Sequence, residues 1–156
     1  MTEIHSRYPV AVRWTREREG VASSVDGLPE LAVASPPAFG GPAAVWTPEH
    51  LFVLAASTCW MTTFLSIAEL SKFEFVAVEA DGEGAVERSD DRRYRIARIT
   101  LRPRVTIRRE ADRERALRLI EKAENACLIR NSVQTEIKLE PEVRLAPEFA
   151  AEGGEA

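Results

Sequence analysis

Hydrophobic and polar positions divide this chain into a series of short elements. Residues 8–16, YPVAVRWTR, alternate, with Tyr8, Val10, Val12 and Trp14 on one face, and predict a half-buried strand. EREGV then turns, VASSV forms a short second strand, and Asp26-Gly27 marks a hairpin. LAVAS predicts a third strand, and SPPAFGGPAAVW a loop punctuated by proline and glycine. Thr47 is a good N-cap, Pro48 fits the first helical position, and Glu49 suits the positive end of a helix dipole. From Leu51 to Leu70 apolar residues fall on nearly every face of the helix that follows. Such a helix is buried on all sides, which a small domain achieves with a wrapped sheet or by dimerising.

The second half begins with FEFVAVEADGEGAVER, read as a strand, then SDD as a turn and YRIARITLRPRVTIRR as a long returning strand. Ile99, Leu101, Val105 and Ile107 share a face of that strand, whereas Tyr94 and Ile96 have the opposite phase. A bulge near Ala97 reconciles the two. EADRERALRLIEKAENACL predicts a second helix, with Ala116, Ile120, Ala123 and Cys127 as its apolar stripe. SVQTEIKLE, with Val133, Ile137 and Leu139 inward, is the last predicted strand. The order is three strands, helix, two strands, helix, strand. Short turns between strands argue for antiparallel pairing, and the fold class is α+β. Residues 1–145 are expected to form one domain, and residues 146–156 a mobile tail.

Composition narrows the function. The chain has 156 residues, 45% hydrophobic and 29% charged. No apolar run is expected to reach the length of a membrane span, and MTEIHSRYPV lacks the apolar core of a signal peptide. These features place the protein in the cytoplasm, where thiols stay reduced. A net charge of −4 argues against nucleic acid as a partner. Of the 21 basic residues, only Lys72, Lys122 and Lys138 are lysines. Arginines 98, 102, 104 and 108 read as a solvated strand face that Glu79, Glu83 and Glu87 can pair across the hairpin.

The chain has two cysteines, Cys59 and Cys127, and no CxxC pattern; His5 and His50 lack ligand spacing, which argues against zinc. FGGPAAV lacks the Lys and Ser/Thr of a phosphate-binding loop. His50 and Ser57 stand about 10 Å apart along one helix, too far for a dyad. Both thiols lie on helix faces predicted to be apolar, so they can meet if the helices pack together. Two readings follow. Either both are inert small core residues, or one of them ionises and reacts. Ionisation needs a nearby cation or a helix N-terminus. Cys127, near the end of the second helix, is disfavoured by the negative end of the dipole. Cys59 is therefore the better nucleophile and Cys127 the better partner for it. Trp14, Trp46, Trp60 and the phenylalanines are candidates for an apolar pocket over Cys59, although such residues are more often plain core.

TPEHLFVLAASTCW resembles the Pro-Glu-x-Leu-Phe…Cys segment of the OsmC/Ohr family of thiol peroxidases. EREGVASSVDG is similar to that family's Arg-containing turn, and AENACLIRNS occupies the place of its second cysteine motif. The second motif departs from the usual Pro-Val-Ser after the cysteine, with CLIRNS instead, and Trp60 stands where Phe is commoner. The resemblance, over about residues 12–141, implies an intertwined homodimer with antiparallel sheets wrapped around two long central helices. It implies reduction of organic hydroperoxides, with hydrogen peroxide a further substrate. The roles it implies are peroxidatic for Cys59, resolving for Cys127, cationic partner for Arg18, and anchor of that arginine for Glu49. No cofactor is implied. An external dithiol must reopen the disulfide, and a lipoylated protein is one candidate. On a regular helix Glu49 and Cys59 are about 15 Å apart, so Arg18 must bridge them, the helix must start irregularly, or Arg18 and Glu49 must come from the other subunit. The competing class is a non-enzymatic dimeric binding or stress-response domain with inert thiols.

Overall fold

The structure is a computed structural model that describes residues 2–147. The chain divides into two compact units, residues 1–51 and 52–156. The tail expected to be mobile lies, from residue 148 on, outside the described residues. Ala146, at its start, is buried, and its N–H donates to the Ile107 carbonyl at 2.9 Å.

The first unit is an antiparallel three-stranded meander of β1 (Ala11–Arg16), β2 (Glu19–Ser23) and β3 (Leu31–Ala34). Gly27, at φ 77°, closes the second turn at the predicted Asp-Gly, and the Gly27 N–H reaches the Ser24 carbonyl. The alternation of β1 does not translate into burial: Val12 is 70% and Trp14 74% exposed. The expected half-buried strand is in fact exposed along its length.

Helix α1 (Pro48–Leu70) starts as the sequence predicts. The buried Thr47 hydroxyl accepts the His50 N–H at 3.1 Å, the cap bond that an N-cap threonine supplies. At 23 residues α1 is long and apolar enough to cross a membrane by length and composition, contrary to the expectation that no segment reaches that threshold. Thr62 and Thr63 dilute the run without breaking it. Only 28% of its apolar window is buried, and Leu54, Leu65 and Leu70 are exposed.

In the second unit α1 contributes Ala56, Trp60, Phe64 and Ala68 to a core that also contains Ile99, Leu101, Val105, Ile107 and Ile120. β4 (Ala77–Arg88) and β5 (Tyr94–Ile107) form the predicted hairpin. Ala85 pairs with Arg98 and Val86 with Ile96, so Ala97 is the extra residue of the expected bulge. Gly82 lets β4 approach the helix: a Cβ there would collide with the Ser57 hydroxyl and press on Val53. Helix α2 (Arg113–Ala126) buries Ala116, Ile120 and Ala123. A five-residue helix, α3 (Leu128–Ser132), follows it.

Two strands close the sheet, β6 (Glu136–Leu139) and β7 (Glu142–Leu145). Both pair with β5 in parallel. The α+β class holds, but the sheet of the second unit is mixed rather than antiparallel, because the helical crossover through α2 and α3 returns the chain in the direction of β5. The charged face is paired as expected only in part. Arg104 meets Glu79 at 2.7 Å and Asp81 at 2.5 Å, whereas Arg98 and Arg102 reach across to Glu136 and Glu140.

Candidate functional site

Cys59 lies midway along α1, where its side chain is partly exposed, and Cys127 is buried; neither is in a disulfide. The expectation that Cys127 belongs to the stripe of the second helix needs correction. α2 ends at Ala126, and Cys127 has extended backbone (φ −65°, ψ 119°) and is the N-cap residue of α3. Cys127 thus follows a helix C-terminus and precedes a helix N-terminus. The break is held by the Cys127 N–H on the Glu124 carbonyl at 3.2 Å and the Asn131 N–H on the Cys127 carbonyl at 3.1 Å.

This elbow brings the two thiols together. Burial acts to raise the pKa of Cys59. The Cys127 thiol, the Ile129 backbone N–H, the Thr63 hydroxyl and the Leu128 backbone N–H all donate toward its sulfur, and together they bring the pKa below its ordinary value. The Thr63 contact spans 4.0 Å, one helical turn along α1. Cys127 moves the other way. Burial first, and then its hydrogen bond to Cys59, push it up to about 11. In each case burial opposes ionisation, but only Cys59 faces enough donors to overcome it. The pair is therefore polarised, with the first proton lost from Cys59 and the second retained by Cys127.

Arg18 and Glu49 both belong to the first unit. Arg18 is exposed, directly after the Glu17 turn residue (φ 42°). It donates to the Phe39 carbonyl at 2.6 Å, and its guanidinium lies beside Gly40 (φ 87°), where an added Cβ would stand 3.3 Å from the guanidinium carbon. Together with Val12, Trp14, Val33 and Pro48 it lines a cleft of about 340 Å³. Glu49 is partly buried in the first turn of α1, and its Oε2 is fully buried without a hydrogen-bond partner. No hydrogen bond or ion pair joins Arg18 to Glu49 among the described residues.

Trp60 is not a pocket residue. It is fully buried in the core, its indole N–H donates to the Ile120 carbonyl at 3.1 Å, and its ring stacks on Phe64. The Ser57 hydroxyl donates to the Val53 carbonyl of its own helix. Among the described residues, no group of three or more His, Cys, Asp or Glu side chains is arranged to hold a metal. Sequence reasoning missed the backbone donors of α3 and the Thr63 hydroxyl. Thr63 could have been found, since it stands four residues after Cys59 and so on the same helix face. The amides carry no side-chain signature.

Comparison with known proteins gives a consistent result. Residues 41–142 match the model of the family described as OsmC-like protein. The uncharacterized protein YmaD of Bacillus subtilis is 27% identical over 140 residues, covering 86% of this chain and 93% of that protein. An OsmC-like protein of unknown function from Vibrio cholerae O1 superposes with a TM-score of 0.78 at 23% identity, covering 87% of this chain and 99% of that one. An organic hydroperoxide resistance protein from Elizabethkingia anophelis superposes with a TM-score of 0.72 at 21% identity, covering 92% of this chain and all of that one.

Proposed function

The chain belongs to the OsmC-like protein family, and from that premise we propose that it is a cysteine-based peroxidase reducing organic hydroperoxides, and hydrogen peroxide with them. Proteins that superpose on this fold are described as organic hydroperoxide resistance proteins, which supports a redox role at the level of the family. The observation that carries the reading for this chain is the α2–α3 elbow, which sets the buried, free Cys127 thiol against the partly exposed Cys59 sulfur.

In this mechanism the Cys59 thiolate attacks the terminal oxygen of the hydroperoxide. The O–O bond breaks, and the organic fragment leaves as an alkoxide that takes up a proton to become an alcohol. Cys59 becomes a sulfenic acid. The Cys127 sulfur then attacks the Cys59 sulfur. Its proton leaves with the departing hydroxyl as water, and a disulfide forms. Two electrons have passed from the thiols to the peroxide, and an external dithiol, such as a lipoylated protein, returns them. A high Cys127 pKa suits the first step, because Cys127 stays a thiol that donates to the Cys59 thiolate; in the second step its proton passes to the leaving hydroxyl. Arg18 acts as the cation beside the reacting sulfur and the developing alkoxide, and Glu49 orients it, its buried Oε2 being ready for a guanidinium.

The active form is a homodimer. The exposed apolar positions of α1 support this, as does the uncovered face of β1 carrying Val12 and Trp14. The cytoplasm is the compartment in which both thiols stay reduced between turnovers. The test is hydroperoxide consumption with a dithiol, wild type against Cys59→Ser. Turnover by the wild type and none by the variant is expected. Equal rates, or no consumption by either, would leave a dimeric binding domain with inert thiols.

A further inference from the structure

The α2–α3 elbow carries a charged pair that the reaction above does not use. Glu124, in the last turn of α2, has a side chain only 7% exposed, and Arg130, in α3, meets its Oε1 at 3.0 Å. Beyond that contact, the buried carboxylate oxygens of Glu124 have no hydrogen-bond partner among the described residues. The ion pair is therefore what compensates this buried charge among the described residues. Burial acts to raise the Glu124 pKa and Arg130 to lower it. A carboxylate is seldom kept in such a place unless its partner matters.

The pair spans Cys127, which stands three residues after Glu124 and three before Arg130. Everything that orients α3 depends on a short list of anchors, because a five-residue helix does not sustain itself. Ile129 packs against the edge of the core, and the Asn131 side chain reaches the Asn125 carbonyl at a long 3.5 Å. The Glu124–Arg130 ion pair is the charged anchor. The same first turn of α3 supplies the Ile129 and Leu128 amides to Cys59.

We propose that Glu124 and Arg130 are positioning residues for Cys59: their ion pair clasps the elbow so that the α3 amides stay aimed at the Cys59 sulfur. This rests on Cys59 being the reacting thiol, as proposed above. Neither residue touches substrate. The clasp acts through the amides of residues 128 and 129 and through the placement of Cys127.

A purely electrostatic effect has a different sign from a positioning effect, and Glu124→Gln separates them. If the pair acted only through its field, removing a negative charge near Cys59 would favour the thiolate. If the pair positions α3, the same substitution loosens the elbow and disfavours the thiolate. The experiment is the rate of Cys59 alkylation by iodoacetamide against pH, read by peptide mass mapping on the reduced full chain, with thermal unfolding as a check on folding. We expect Glu124→Gln and Arg130→Met each to move the midpoint to higher pH and to slow alkylation at neutral pH at least about twofold. Arg130→Lys should recover part of the loss, and Lys122→Ala, on the exposed side of α2, should change nothing. A Glu124→Gln protein that is folded and alkylates at the wild-type rate or faster would overturn the proposal. The near-isosteric Gln keeps this arm readable even if Arg130→Met unfolds. No peroxide enters the assay, so a failure of the peroxidase reading and a failure of the clasp are seen separately.

Discussion

Replacing Leu128 with proline removes one of the donors that lower the Cys59 pKa while disturbing little else. Leu128 is the first residue of α3, where an N–H has no partner within the helix and proline is well tolerated. The preceding residue, Cys127, already has the extended backbone that a following proline requires. The Leu128 side chain is 68% exposed, so its loss costs little packing. A hydrogen bond to a charged group contributes about 1.5–3 kcal/mol. The Cys59 sulfur is partly exposed and water can also reach it, so about 1 kcal/mol is the better figure. That corresponds to about fivefold less thiolate at a pH below the midpoint. A more basic thiolate is also more nucleophilic, with a Brønsted slope of about 0.4–0.5, which returns nearly half of the loss on a logarithmic scale. Alkylation of Cys59 at neutral pH should therefore slow by about two- to threefold, while the midpoint of its pH profile shifts upward by the whole effect. Leu128→Ala keeps the N–H and should match the wild type in both. A folded Leu128→Pro protein with the pH profile of Leu128→Ala would show that the α3 amide does not act on Cys59.

Other consequences concern the thiol pair and the core. The two thiols should titrate as separate single equivalents by ultraviolet absorbance, the first below the ordinary cysteine value and the second at about 11. Because the folded Cys59 pKa is lowered, its contribution to stability grows as pH rises through its folded value. The raised Cys127 pKa makes the unfolded chain ionise first, so stability should fall from about pH 9 to about pH 11, and Cys127→Ser should flatten that fall in denaturant titrations. Trp60→Ala should destabilise by about 3–5 kcal/mol in equilibrium unfolding, through the cavity left in the core and the lost bond to Ile120. Gly82→Ala should cost about 1–3 kcal/mol in the same assay, because β4 must retreat from Ser57 and Val53.

Much of this fold is legible where local chemistry and tertiary environment agree. Thr47 reads as a cap because its hydroxyl needs only the amide three residues on. The bulge at Ala97 reads from a change of phase between Ile96 and Ile99, since only an extra residue returns both to one face. Parallel pairing of β6 and β7 was not legible, because alternation records which face a residue takes and nothing about the direction of the neighbouring strand. Helix α3 was missed because LIRNS is too short to show periodicity. Cys127 was misplaced for a related reason: Ala116, Ile120, Ala123 and Cys127 keep helical spacing right across the break after Ala126. The alternation of β1 is real, yet alternation alone does not fix burial, which depends on what covers the face. At the site, the two cysteines could be found from residue type, but the amides that act on Cys59 belong to the backbone. In sequence Glu124 is one of several acidic residues in the second helix, and only the fold reveals that its carboxylate is enclosed.

Attack of Cys59 on peroxide and its resolution by Cys127 leave a covalent record. The direct measurement is intact mass and peptide mapping of the fully reduced protein after one equivalent of an organic hydroperoxide. Loss of both thiols, one Cys59–Cys127 disulfide per chain and one equivalent of alcohol are expected, with Cys127→Ser halting at a Cys59 sulfenic acid that a dimedone trap captures. Recovery of both cysteines as free thiols, with the hydroperoxide intact, would contradict this mechanism.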